Sequence, residues 1–273
     1  SSRSFVRLPS LSTPLIIRPC AVMHGHARLS WLRGRPDAAR RYADRTVSLA
    51  KELGDTVSTA FALCEKALVH RLMLEPKLAL EIAGAAMNIA EDVGFLYVLR
   101  HARIIKGWAL TQLGTTGEGL GQIREETEAL SANREEVWLT FGLATLADAC
   151  LRAGHIKHGL KAIGDALDLV GRSGECFWEA EINRLRGELL LVQSPSDPAL
   201  AKAAFEHAVE LARQQGAKSL ELRATTSLAR LLRDTNRRTS ARAMLADIYS
   251  WFTEGFDTAD LKDAKALLDE LSA

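Results

Sequence analysis

Breaks in a helical pattern recur every 40 residues along this chain, at Gly34, Leu74, Gly114, Gly154, Ser194 and Asp234. A second set of breaks falls about half a period later, at Gly54, Gly94, Asn133, Gly174 and Gly216. Seven residues before each mark of the first set stands a small residue: Ala27, Ala67, Gly107, Ala147, Gly187 and Ser227. A fixed period of this length is the signature of a stacked helical-repeat array, in which each repeat touches only its neighbours. Such arrays present extended surfaces, so the spacing constrains the class of function as well as the fold.

The pattern predicts six antiparallel helix pairs. The first helices run over 20–33, 56–74, 95–113, 134–153, 175–193 and 218–233, and their partners over 36–53, 76–93, 117–131, 156–172, 197–215 and 237–253. Abundant Ala and Leu with only 6% aromatic residues favours helix over sheet. Pro36, Pro76 and Pro198 sit at or near helix starts, where a missing N–H costs little. Gly54, Gly94, Gly174 and Gly216 follow helix ends, where glycine takes the left-handed conformation. The small residues have a packing reason: a larger side chain where two helices of a hairpin approach most closely would push them apart. Two positions on, Leu29, Val69, Ala109, Ala149, Leu189 and Ala229 are apolar and mark the same buried seam.

Residues 1–19, with Pro9, Pro14, Pro19 and several serines, read as a linker or lead-in to an array over 20–255. No acid precedes Asp37, and an Arg- and Ser-rich start also suits an organellar transit peptide. The acid-free stretch runs on into the first helix, which argues against one. The chain opens on Ser1 rather than Met, as a fragment or processed form would. After Phe256 the pattern changes: Asp257 is a good N-cap, Asp260 lies in the first turn, and Leu261, Ala264, Leu268 and Leu271 form one stripe. A single capping helix over 256–273 is expected to close the array.

The small residue placed before each turn resembles the tetratricopeptide repeat, and this tilts the choice of fold. That family's period is about 34, so the helices here must be longer. Its first-helix Trp position is held by Met23, Leu63, Arg103, Leu143, Asn183 and Arg223. HEAT or armadillo repeats, with periods of about 40–47, are the alternative. The blocks Phe177–Glu181, Arg184–Leu190, Ala217–Ala224 and Trp251–Leu261 look like the tetratricopeptide tails of bacterial multidomain signalling proteins. In those proteins a cyclase or DNA-binding domain precedes an AAA/STAND-type ATPase, and the repeats follow. The resemblance implies an all-α, right-handed superhelical solenoid of about six hairpins in a regulatory protein of the bacterial cytoplasm. No GxxxxGK[ST] phosphate loop occurs, so no ATPase activity carries over.

Candidate chemistry is sparse. Gly114–Gly121 is glycine-rich but lacks the lysine and the preceding strand of a phosphate loop, and reads as a hairpin turn. His24 and His26, and His155 with His158, have no clustered third ligand, so no metal and no cofactor are expected. Arg33, Arg35, Arg40, Arg41 and Arg45 make a basic run that reads as a solvated face balanced by Asp37 and Asp44. With a net charge of +1, nothing points to nucleic acid or to a membrane. Cys20, Cys64, Cys150 and Cys176 form no CxxC and fit a reduced cytoplasmic chain. No Ser/His/Asp constellation can be assembled.

In tetratricopeptide arrays the first helices line a concave groove. Counting from the small residues gives His24, Arg28, Trp31, Phe61, Cys64, Arg71, His101, Ile104, Trp108, Phe141, Asp148, Glu181, Arg184 and Glu188. Aromatic and Arg residues are common interface anchors; core packing is the competing role for several of them. The expected function is non-enzymatic: a scaffold that binds a protein, a peptide or its own upstream domains and so regulates an output. A small-molecule sensor is the second reading, and homodimerisation is left open. Truncating Arg71 and Trp108 together is expected to weaken partner capture without disturbing the fold.

Overall fold

The computed structural model describes residues 17–133 and 136–272, which form thirteen α-helices and, among the described residues, no strand. The helices pair in sequence as α1 (Ile17–Leu32) with α2 (Pro36–Glu52), α3 (Thr56–Leu72) with α4 (Pro76–Asp92), and α5 (Leu96–Gln112) with α6 (Thr116–Ala132). The remaining pairs are α7 (Glu136–Arg152) with α8 (Ile156–Ser173), α9 (Glu179–Gln193) with α10 (Ala199–Gln215), and α11 (Lys218–Asp234) with α12 (Arg238–Tyr249). A last helix, α13 (Ala259–Ser272), follows alone. The lead-in expected over 1–19 lies largely outside the described residues. The architecture is a helical-repeat solenoid of tetratricopeptide type.

Turn chemistry sets the helix ends. Gly34, Gly114 and Gly154 adopt positive φ, and Leu74 does so at 58° without being glycine. The regularity fails in the last two hairpins. Ser194 has φ −137°, its turn being made by Ser-Pro-Ser-Asp-Pro, and in the sixth hairpin Asn236 rather than Asp234 takes the left-handed conformation. Helix α9 also starts at Glu179, not 175. The preceding loop wraps around Glu175, whose carboxylate accepts from Thr140 Oγ1 and, at 2.7 Å, from the Phe177 amide.

Of the small positions, Gly107 and Gly187 lie where neighbouring atoms leave no room, whereas Ser227 Oγ reaches from α11 to donate to Glu188 Oε1 of α9 at 2.6 Å. A Cβ on Gly107 would come within 2.9 Å of the Gly119 carbonyl, and one on Gly119 within 2.3 Å of the Gly107 carbonyl. Gly119 belongs to the glycine-rich run, so that run is partly explained by close contact between α5 and α6 and not by the turn alone. A Cβ on Gly187 would meet the Phe205 ring at 2.4 Å. The positions two residues on are buried in five repeats, but Leu29 is 44% exposed. Ala149 shows why: it packs on Leu120 and Ile123 of the preceding α6, and α1 has no such predecessor among the described residues.

The odd-numbered helices form an inner layer, each contacting the next along α1, α3, α5, α7, α9, α11 and α13. Successive even-numbered helices make no such contact among the described residues. One layer is thus packed tightly and the other splayed, which curves the array with the odd helices on the concave side. Helix α13 packs on α11 and α12 through Leu261, Ala264, Leu267 and Leu271; Leu268, expected in this stripe, is only partly buried.

The curvature brings the two ends together, and α1 touches α11. The 250–258 segment docks on the start of α2. Glu254 Oε1 accepts from the Ala38 amide at 3.0 Å, and Asp37 Oδ2 from the Gly255 amide at 3.2 Å. Gly255 has φ +75°, and a Cβ there would lie 1.9 Å from Pro36 Cγ, so both conformation and space demand glycine. Asp257, expected as a helix cap, pairs instead with Arg40 at 3.1 Å. Deeper in, Ser219 Oγ donates to the Trp31 carbonyl at 2.5 Å, and Arg223 donates to the Leu72 carbonyl and covers the Trp31 ring.

Candidate functional site

The concave face divides into two parts. The first is aromatic and filled. His101 lies 4.3 Å from both Tyr97 and Trp138, Trp138 meets Phe141 edge-on at 5.8 Å, and Phe141 lies 5.2 Å from Trp178. Phe61 joins through Tyr97, whose hydroxyl accepts from Trp138 Nε1. Arg28 caps this nest, 5.4 Å above Trp138 and 3.2 Å from Glu65 Oε2. Burial pushes the Glu65 carboxyl up, against the pull of Arg28. Burial also lowers His101 to about 3, with Arg28 and Arg100 adding repulsion, so its imidazole is neutral in the folded chain.

The second part is an open pocket of about 440 Å³, lined by α3, α5, α7, α9, α11 and α13. Its charges are mostly paired. Arg184 holds Glu181 at 2.8 Å and Glu188 at 3.3 Å. Burial opposes the charge on Arg184, but those two carboxylates outweigh it and hold the guanidinium above its ordinary range. Glu181 is correspondingly kept below the usual carboxylate range, because Arg184 more than reverses the effect of its burial. Arg223 grips Asp260 at 2.8–3.0 Å, and Arg230 meets Asp263. Asp148 accepts from Trp108 Nε1 at 3.0 Å and lies 3.8 Å from Arg152. Arg71 sits between the two parts, with Phe141 at 4.7 Å, Trp108 at 5.5 Å and Trp178 at 5.8 Å.

Of the side chains expected in the groove, the pocket gathers Arg71, Trp108, Asp148, Glu181, Arg184 and Glu188. Trp31, Cys64, His101, Ile104 and Phe141 are core instead: the inner helices lie close enough for large apolar groups to interdigitate, and Arg223 closes over Trp31. Phe61 is half-buried beside the nest and Arg28 borders it. The His24 side chain lies outside the described residues. Trp108 reaches the pocket with only 1% of its surface exposed. Truncating it would therefore open a cavity, and the Arg71/Trp108 double variant is not neutral to the fold.

Sequence reasoning missed Arg223, Thr226, Arg230, Asp260 and Asp263, all of which line the pocket. The same count from Ser227 gives Glu221, Ala224, Leu228 and Leu231, none of which lines the pocket, so the inner-face spacing carried no signal for these residues.

Elsewhere, Asp37 and Asp44 do not simply balance the basic run. Asp44 pairs with Lys66 and Asp37 with Arg40, while Arg33, Arg35, Arg41 and Arg45 border a shallow cleft with His26 and Tyr42. The rings of His155 and His158 are 6.0 Å apart, and no metal-holding group of three or more His, Cys, Asp or Glu occurs among the described residues. None of the described helices is long and apolar enough to cross a membrane.

The fold and site define a tetratricopeptide-type solenoid with a charge-paired pocket on its concave face. No family model matches the chain. It is similar to two solved structures: a Rap protein complexed with competence and sporulation factor (TM-score 0.63, 12% identity, 96% of this chain and 77% of that one), and the apo form of RapI (TM-score 0.54, 14% identity, 96% and 86%). In sequence it is 25% identical over 211 residues to an uncharacterised protein of Rhizobium meliloti (strain 1021). That match takes in 74% of this chain, which spans about a fifth (19%) of the relative's length.

Proposed function

We propose that the chain is a non-enzymatic interaction module that takes a peptide or protein segment into its concave pocket and thereby regulates a signalling or transcriptional output. The observation that carries this reading is the pocket itself. It draws one helix from each of several successive repeats, and its walls combine Trp and Arg with paired carboxylates. The solved neighbour bound to competence and sporulation factor supports it by analogy of fold alone. The partner is a separate chain or a domain preceding these repeats in a longer protein. The setting is a bacterial cytoplasm, residues 20–255 are the repeat array, and α13 is its cap.

The test is affinity selection of a synthetic peptide library on the full chain, against a variant carrying Arg152→Glu and Arg230→Glu. Both arginines line the pocket with exposed side chains, so their reversal spares the core. Peptides retained by the natural chain should bind the variant about tenfold more weakly. Equal retention would remove the pocket from the reading. A sensor for a small molecule is the second reading, favoured by the closure of α1 on α11; it predicts a ligand-dependent rise in Tm.

A further inference from the structure

Every other arginine lining the pocket has a carboxylate. Arg184 has Glu181 and Glu188, Arg223 has Asp260, Arg230 has Asp263, and Arg152 lies 3.8 Å from Asp148. Arg71 pairs with none among the described residues, although it is only 9% exposed. Its protein contacts are a 2.8 Å hydrogen bond from Nη2 to Thr145 Oγ1 and the faces of Phe141, Trp108 and Trp178. Its Nε carries a proton with no acceptor.

A buried guanidinium without a counter-ion is costly, and aromatic faces return less than desolvation removes. Burial lowers Arg71 to about 10; Asp148 and Glu181 partly offset this, and Arg223 reinforces it. The nearby carboxylates are committed elsewhere, Asp148 to Trp108 Nε1 and Glu181 to Arg184. The pocket therefore offers one uncompensated cation against an aromatic wall. A singly charged planar group matches a guanidinium fork. A phosphate dianion would place two charges close to Asp148, Glu181 and Glu188 with one cation to meet them.

We infer that Arg71 anchors a carboxylate subsite in this pocket, filled by the C-terminal carboxylate of a peptide or by a free small carboxylic acid. The inference rests on reading the pocket as the binding surface and adds the chemistry it selects.

The experiment uses the full chain and two synthetic pentapeptide libraries, one with free C-termini and one C-terminally amidated, followed by thermal unfolding with succinate and with benzoate. Retention of free-acid peptides about tenfold above their amides identifies a peptide terminus as the source. A rise in Tm with succinate or benzoate, absent in Arg71→Gln, identifies a free acid. The comparison of acid with amide uses the natural chain only, so it does not depend on a variant folding. Arg71→Met checks the role of charge. It removes a load from the empty fold, so it should unfold no lower than the natural chain, yet lose binding about tenfold. If both libraries are retained equally, or folded Arg71→Met and Arg71→Gln bind free acids as the natural chain does, the carboxylate subsite is overturned while the pocket reading survives. If neither library is retained and no acid moves Tm, both fall. Response to a free acid with no peptide retained keeps the subsite and overturns the peptide reading.

Discussion

The aromatic nest and the charged pocket occupy the same concave layer, yet one is packed solid and the other stands open. In the nest, Tyr97, His101, Trp138 and Phe141 meet at ring-contact distances. In the pocket, Arg184 pairs with carboxylates of its own helix α9, Arg223 and Arg230 reach from α11 to α13, and space remains between them. Apolar groups on a concave face collapse because burial is favourable, whereas charges retain solvent because its loss is costly. The composition of an inner position thus decides whether curvature yields core or cavity.

Three substitutions probe that contrast, a fourth probes the seam beneath the pocket helix α9, and a fifth probes the closure of the array. Trp138→Ala removes the centre of the nest and should destabilise the chain by about 4 kcal/mol, read from urea unfolding; a loss below about 1 kcal/mol would mean that the nest is not core. Glu181→Ala leaves Arg184 with only its longer contact to Glu188 and should cost about 2 kcal/mol. If it costs no more than an exposed pair, the pocket wall is wetter than its geometry implies. Gly187→Leu drives a side chain into the Phe205 ring and should cost about 2 kcal/mol; an unmoved Tm would break the seam assignment.

His101 sharpens the contrast through pH. Its folded pKa, at about 3, lies below the ordinary imidazole value, so the unfolded chain binds the extra proton as pH falls through the unfolded value of about 6.5. Its contribution to stability is complete above that pH and declines as pH falls, by about 1 kcal/mol between pH 6 and pH 5. His101→Gln should flatten this limb of the stability curve; an unchanged slope would place the titration elsewhere. Smallest of the five is Asp257→Asn at the closure. With Asp257 largely exposed, it should cost about 0.5 kcal/mol and become invisible in high salt. A much larger loss would show that closure is cooperative with the whole array.

The legible part of this protein was local. Gly54, Gly94, Gly174 and Gly216 all adopt positive φ at the predicted breaks, because a helix C-terminus imposes its chemistry within a few residues. The helix pairs follow the predicted ranges to within a few residues, because they depend on helical periodicity alone. The failures share one cause. Leu29 is exposed rather than seam, Asp257 pairs with Arg40 rather than capping a helix, and Ile104 and Phe141 are core rather than groove, because each role depends on what lies across space. The block Trp251–Leu261 stands out in the sequence by its resemblance to tetratricopeptide tails, which by itself gives no physical reason for it. The structure supplies part of one, since Phe252 packs beside Gly34, Glu254 caps α2, and Gly255 presses on Pro36.

The chain alone determined its helices, their hairpins and the stacking of repeats, since short-range sterics and periodicity suffice for these. Only the tertiary structure decided that the array returns on itself, joining Glu254 to Ala38 across 216 positions. It alone decided that Arg71 has no carboxylate partner among the described residues while every other arginine lining the pocket acquires one. Curvature accumulates from small interhelical angles summed over every repeat, and no single segment encodes that sum.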